Sequence, residues 1–478
     1  MELSFGMVDG LPEEDQKKLN ELIYVYTYHR SKNRKKRRYY NGNITLGEVN
    51  LGIALPRNIS KLSIGCEWGA KTVDVLAGRS MFDGFVSEYG NTVEGMAEII
   101  KRNKLIAEYK KACKDELEYG CVFAVVSGKE NGANINFYSP QCAAALWDGE
   151  KKQIDCGFAF DDQRRYEEDW QWSPNKVTYF TSSANWVLEK VGTGWSATEY
   201  RHDFGKPMMI PMVWKATNDA PFGKSRINGS IRKMIQGYVR TIANATIGLE
   251  FATAPQKYLL GITDEQYDAI VDQKFQQYVG SILAGTPNPE TGNNPVFGQL
   301  PQGNISPHVE MLRILATQFS AASGLTVTDT GVVNDANPTS SDAILAQSQT
   351  LVSLAQELNT INGDALNEIA VMALAVEKGI RIEDLEDTDV VAHFKNPAMP
   401  SVAVTADAAI KIASARENFS STDVFLEMIG FDQADIRRIK AQEQRARGQN
   451  LLLEETEKNL IPEQINDNED LDYEDITG

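Results

Sequence analysis

Apolar positions recur at helical spacing through two neighbouring stretches. In the first, Val309, Leu312, Leu315 and Phe319 fall on one face. Ser306 stands as an N-cap, Pro307 suits the first helical position, and Gly324 ends the run. Residues 325–338 (LTVTDTGVVNDANP) are polar and lack a core pattern. A second helix then opens at Thr339, with Asp342 three residues on as a capping-box variant. Ile344, Leu345, Leu351, Leu354, Ala355, Leu358 and Ile361 keep helical spacing, and Leu366, Ile369, Met372 and Ala373 resume it before Gly379. About forty residues at 1.5 Å each make a rod of roughly 60 Å. A small domain does not hide such a rod, so it is expected to pack on another chain or to span several domains. An ordinary antiparallel helix pair is the other reading, and periodicity leaves the two even.

Upstream, 12–40 reads as a helix with acids at its start and Leu19, Leu22, Ile23 and Tyr26 on its apolar face. It carries the basic run 32–38, which suits a nucleic acid or acidic partner, or more commonly a solvated helix face. Residues 70–119 are mostly helical, interrupted by a strand near Phe82–Val86. From Gly120 short β-rich segments follow at 121–127, 135–138, 157–160, 177–181 and 186–190, with a hairpin turning at Gly192-Thr193-Gly194. A helix spans 225–251, a strand 256–261 and a weak helix 264–279, and a turn-laden segment runs over 285–303. After the long helix come a strand at 390–395 and short helices at 405–417, 422–429 and 433–447. Beyond Leu453 an acidic, disordered tail is expected.

Composition narrows the function. A net charge of −18 argues against tight binding of nucleic acid phosphates, yet suits a surface past which DNA slides. Hydrophobic content of 42% fits proteins with real cores, and no apolar run is long enough to cross a membrane. The N-terminus has no signal-peptide pattern. Five cysteines without a C-x-x-C spacing suit free thiols in a reducing compartment. Gly192–Ala197 spells G-x-G-x-x-A but continues as a strand, and Gly223-Lys224-Ser225 lacks the upstream glycine of a phosphate loop, with Asn218 in its place. No catalytic constellation, metal cluster or cofactor motif is found, so the expected cofactor is none.

The order of motifs resembles the portal proteins of long-tailed bacteriophages, in the group from Gram-positive hosts. The resemblance rests on Lys71–Arg79 leading to Asp83-Gly84-Phe85, Glu118–Phe123, Tyr138-Ser139-Pro140, Pro221–Ile227, Pro255–Gly261, 314–325 (ILATQFSAASGL) and Pro338–Ile344. Thr326 departs from the proline that many relatives carry there.

The resemblance implies an α+β portal fold with wing, stem, clip and crown, assembling as a ring usually of twelve subunits. It would place an N-terminal wing at 1–224, stem helices at 225–251 and 306–323, and the clip at 252–305. The tunnel loop would be 324–338, the long helix and connection 339–400, the crown 401–453 and the tail 454–478. It further implies location at one capsid vertex after assembly in the host cytoplasm. The ring would be a structural conduit for double-stranded DNA, docking the terminase large subunit, capsid and scaffolding proteins, and a head-completion adaptor, with no membrane partner. Within it, Thr328, Asp329, Thr330, Asn334 and Asp335 would face DNA, and Arg226, Arg232, Lys233 and Arg240 would be stem cations. Asn288, Glu290, Asn293 and Asn294 would line the docking surface of the clip. Deleting 327–334 is expected to leave assembly intact. A capsid-associated enzyme and a helical scaffold or adaptor are the alternatives.

Overall fold

The computed structural model describes residues 5–45, 63–87, 93–129, 132–161, 174–253, 257–261, 265, 292, 294, 296–299, 304–332, 341–385, 389–398, 402–416, 418–431 and 433–460. The chain divides into two units, Met1–Ala398 and Met399–Gly478.

The first unit opens with β1 (Val8–Asp9) and α1 (Glu13–Tyr40). Acids in the first turn of α1 and Arg37 and Arg38 in the last complement its peptide dipole. β2 (Ile44–Thr45) pairs antiparallel with β3 (Ser63–Ile64). Next come α2 (Trp68–Arg79), β4 (Phe82–Ser87), α3 (Met96–Asn103) and α4 (Leu105–Tyr119). Sequence spacing joins 99–117 into one helix. The chain instead breaks at Lys104, whose φ of 49° is a conformation that lysine rarely adopts and the pattern does not signal.

Eight strands follow: β5 (Cys121–Lys129), β6 (Gly132–Tyr138), β7 (Ala143–Asp148), β8 (Gln153–Ala159), β9 (Lys176–Phe180), β10 (Ala184–Val191), β11 (Gly194–Arg201) and β12 (Met209–Val213). One sheet has the order β1-β11-β10-β9-β8-β7, antiparallel except where β1 runs parallel to β11. A second has the order β12-β5-β6. The β10–β11 hairpin turns at Gly192, where φ is +62°, as its glycines suggest. β7 and β12 are absent from the sequence reading; their segments, AAALWD and MIPMV, lack the alternation that marks a half-exposed strand.

Helix α5 (Gly229–Thr253) is followed by the antiparallel pair β13 (Lys257–Leu260) and β14 (Val296–Gln299), then α6 (Ser306–Ser323), α7 (Ser341–Lys378) and β15 (Val390–Phe394). β15 pairs with β4, bringing 390–394 back to the N-terminal part of the unit. The expected helix at 264–279 lies outside the described residues.

Two cores hold this unit together. Leu19, Leu22 and Tyr26 of α1 pack on Phe158, Tyr179, Leu188 and Trp195 of the six-stranded sheet. The larger core joins α2, α4, the three-stranded sheet, α5, α6 and α7. Four of the cysteines are buried, and all five are free thiols.

The long helix departs from expectation in its partner. Leu351, Ala355, Leu358, Leu366, Ile369, Met372 and Ala373 are buried within the subunit's own core. From Leu351 onward its apolar stripe needs no second chain, because α2, the β-rich segment and β15 fold around it. The predicted dependence of this rod on a neighbouring copy is therefore incorrect.

The second unit contains α8 (Val402–Ala415), α9 (Asp423–Ile429) and α10 (Gln433–Leu460). Thr422 caps α9, its hydroxyl accepting from the Phe425 amide. Ala409 and Ile436 are buried. The tail expected to be disordered beyond Leu453 is helical to Leu460, since Glu454, Glu455, Glu457 and Lys458 are strong helix formers. Residues 461–478 lie outside the description.

Candidate functional site: a helix pair, its loop and its ribbon

The α5–α6 pair is built by complementary faces. Ile231, Ile235, Val239 and Ala243 on α5 meet Leu315, Ala316 and Phe319 on α6 within the larger core. At Gly237 an added Cβ would lie 3.1 Å from Leu315 Cδ2, so a side chain there would crowd the pair. The far half of the pair is different. Leu249, Val309, Met311 and Ile314 are exposed large apolar residues. The sequence pattern placed Val309 with the buried face; it lies beyond the part of α6 that the body covers.

Where the pair enters the body, Trp68 acts as a hub. Its ring stacks on Phe319 at 4.6 Å and lies 4.8 Å from Tyr238, and its Nε1 donates to Thr330 O at 3.0 Å. One α2 side chain thus touches both helices and the loop after α6. Sequence analysis missed Trp68; a buried tryptophan needs a partner for its N–H, but nothing local tells which.

Arg226 lies just before α5 and is buried. Its Nε donates to Thr72 O at 2.6 Å and its Nη2 to Ser323 O at 2.5 Å. Ser323 ends α6, where carbonyls lack intrahelical partners and the dipole is negative. Burial pushes the guanidinium down to about 10, leaving it charged at neutral pH. It is therefore not available for a cationic ring as expected, because it is buried and ties α2 to the end of α6 from inside. Arg232 and Arg240 are half-buried and Lys233 is exposed. None of these three forms an ion pair among the described residues.

The Gly223-Lys224-Ser225 segment shows why it holds no phosphate. The Gly223 and Lys224 amides donate to Ala220 O and Trp214 O, and the Arg226 amide to Leu117 O. Gly223 has φ +68°, and an added Cβ would collide with Trp214 O.

The loop after α6 is more anchored than its composition suggests. Gly324, with φ +72°, ends the helix, and Leu325 is buried. Asp329 Oδ2 accepts from the Thr326 amide at 3.0 Å and from Thr326 Oγ1 at 2.8 Å, closing a tight turn. Thr328 is exposed, Asp329 half-buried and Thr330 buried. The expectation that Thr330 faces the DNA and that the loop has no core residues is incorrect for 325–330. Asn334 and Asp335 lie outside the described residues.

At the other end of the helix pair, the β13–β14 ribbon exposes Tyr258, Leu260, Val296 and Phe297. The Tyr258 ring lies across Gly298, leaving no room for a side chain there. Asn294 is exposed, and Asn288, Glu290 and Asn293 lie outside the described residues.

The basic run 32–38 divides by face. Lys36 Nζ donates to Tyr119 O at 2.7 Å, and Arg37 Nη1 to Glu118 Oε2 at 2.7 Å. Burial raises the Glu118 carboxyl to about 7, against the opposing pull of Arg37. Among the described residues, no three His, Cys, Asp or Glu side chains come together as metal ligands, and no helix is long and apolar enough to cross a membrane.

A mixed α/β body thus sends out a helix pair, bolts a loop to its base and carries a ribbon beyond it. Residues 19–449 match the family Phage portal protein, SPP1 Gp6-like, and the chain belongs to that family. It is a structural protein of the capsid portal vertex, serving DNA packaging and ejection. No curated protein matches the chain. Similar solved structures include the neck of a native GTA particle computed with C12 symmetry, at 14% identity over 76% of this chain and 89% of that one, with a TM-score of 0.45. A chain in the virion of a native gene transfer agent particle is 15% identical over 73% of this chain and 86% of that one, with a TM-score of 0.42.

Proposed function

We propose that twelve copies close into a ring whose axis carries double-stranded DNA. The carrying observation is the exposed apolar surface at Leu249, Val309, Met311 and Ile314 on the stem and at Tyr258, Leu260, Val296 and Phe297 on the ribbon. Such residues, wet in one subunit, become buried when identical copies meet head to tail and the rotation closes. In this ring 225–251 and 306–323 are the stem, 252–305 the clip and 324–338 the tunnel loop. Asp329 and Asp335 repel passing phosphate, so DNA slides without sticking, while Thr328 and Asn334 sit beside it. Arg232, Lys233 and Arg240 form cationic rings in the stem. Asn288, Glu290, Asn293 and Asn294 of the clip dock the terminase large subunit and, after packaging, a head-completion adaptor. Capsid and scaffolding proteins surround the wing and crown.

The ring itself performs no catalysis in this proposal, and ATP hydrolysis belongs to the separate motor. Negative-stain microscopy of purified protein tests the assembly. Rings with a hole of DNA width are expected, and monomers alone would overturn it. ATPase and nuclease assays on the same sample are expected to read background; turnover that follows the protein through purification would restore the enzyme alternative.

A further inference from the structure

We propose that the outward face of α1, from Tyr24 to Arg38, binds the sugar–phosphate backbone of double-stranded DNA outside the channel. The basic run has two sides. Its inward side is committed to the fold: Asn33 and Tyr39 are buried, and Lys36 and Arg37 reach Tyr119 and Glu118. Its outward side is a surface. Tyr24 and Tyr28 are 71% and 55% exposed, and Lys32, Arg34, Lys35 and Arg38 are exposed as well. At about 100° per residue Tyr24, Tyr28, Lys32, Lys35 and Arg38 lie away from Leu19, Leu22 and Tyr26, which meet the six-stranded sheet, and Arg34 lies at the flank of this face.

The face is organised. The two tyrosine rings stack at 6.4 Å, and Lys32 Nζ sits 3.9 Å from the centroid of Tyr28. Each of the six side chains carries a hydrogen-bond donor, and lysine, arginine and tyrosine are common phosphate ligands. No Asp or Glu occurs from Leu22 to Gly47, although the whole chain has a net charge of −18. Tyr24 to Arg38 spans about 21 Å of helix axis, long enough for several phosphates spaced about 3.4 Å apart along one strand. A protein partner would look for an apolar centre with a polar rim. This face carries four exposed cations between Lys32 and Arg38 with no acid on the same stretch of helix, which favours a polyanion. The choice of DNA rests on membership in the portal family, which puts packaged DNA beside the protein.

The test is fluorescence anisotropy of the intact protein with a labelled duplex of about 30 base pairs, titrated between about 50 and 300 mM salt. The logarithm of the affinity is expected to fall linearly with the logarithm of salt. Lys32→Gln with Lys35→Gln should weaken binding and flatten that slope by about 1.8, since each lost phosphate contact removes about 0.9. Tyr24→Phe with Tyr28→Phe should weaken binding and leave the slope unchanged. Lys176→Gln with Lys190→Gln, on the six-stranded sheet, is the control and should change nothing. Four results would overturn the proposal: no salt-dependent binding by the parent protein, an unchanged slope in the lysine variant, an equal loss in the control, or binding to polyglutamate with none to DNA. The isolated protein meets the duplex without capsid or motor. A negative result therefore leaves the ring, which is judged by imaging, untouched.

Discussion

Glu116 is fully buried, and its Oε2 accepts from Asn362 Nδ2 at 2.8 Å, joining α4 to the long helix α7. The same Nδ2 reaches Tyr109 OH, which pairs with Ser80 Oγ at 2.6 Å. Burial pushes the Glu116 carboxyl up from 4.5 to about 8. The folded chain thus keeps a proton that the unfolded chain releases above its ordinary pKa. Stability should fall as pH rises from about 4.5 to about 8 and level off above that. At pH 7 this one group costs on the order of 3 kcal/mol. Glu116→Gln keeps the acceptor and removes the titration. It should raise the unfolding temperature at pH 8 and leave it unchanged near pH 4; equal shifts at both would mean another group titrates. Arg226 makes the opposite kind of buried contact, a cation held by two carbonyls and facing the Trp214 ring. Arg226→Met should cost about 1–3 kcal/mol in denaturant unfolding by orphaning Ser323 O, the end of α6. Arg226→Lys should recover less than half, because a single ammonium lacks the fork that reaches both.

Among elements, those carried by local pattern were legible. The end of α6 follows from Gly324, and the bounds of the β10–β11 hairpin from its two glycines; at the start of α6 the N-cap is Ile305, with Ser306 already inside the helix, one residue from the expected place. What was not legible depends on distant partners. The tripeptide Thr328–Thr330 reads as free polar loop, yet Trp68, far upstream in sequence, holds its carbonyl. Likewise Arg226 reads as one more stem cation until Thr72 and Ser323 close around it. The loop prediction changes accordingly. Deleting 327–334 removes Thr330 together with the acceptor of Trp68 Nε1. It should lower the unfolding temperature by several degrees, as about 1 kcal/mol or more is lost. A deletion confined to 333–337 spares that anchor and should unfold like the parent. Equal unfolding temperatures for both deletions would show that the Trp68 contact contributes nothing to stability.

For the whole molecule, the surface that favours a ring is not the long helix but the exposed far half of the helix pair and its ribbon. The long helix α7 looked like a rod in need of neighbours, but its own subunit covers it from Leu351 to Ala375. Apolar surface that remains wet includes the far half of the helix pair, where Val309 and Ile314 are 46% and 45% exposed, and the ribbon. These two kinds of apolar position should therefore respond differently to substitution. Val309→Glu with Ile314→Glu adds charge where the single subunit already meets water. It should leave the unfolding temperature of the protomer nearly unchanged while shifting the sedimentation profile from rings to smaller species, since burying unpaired carboxylates between copies is costly. Leu358→Ala empties a buried site and should cost about 2–5 kcal/mol, with the assembled species keeping its size as long as the subunit stays folded. If the stem variant instead unfolds like a core mutant and keeps its rings, the far stem is not where copies meet. The interface must then lie on the body of the subunit.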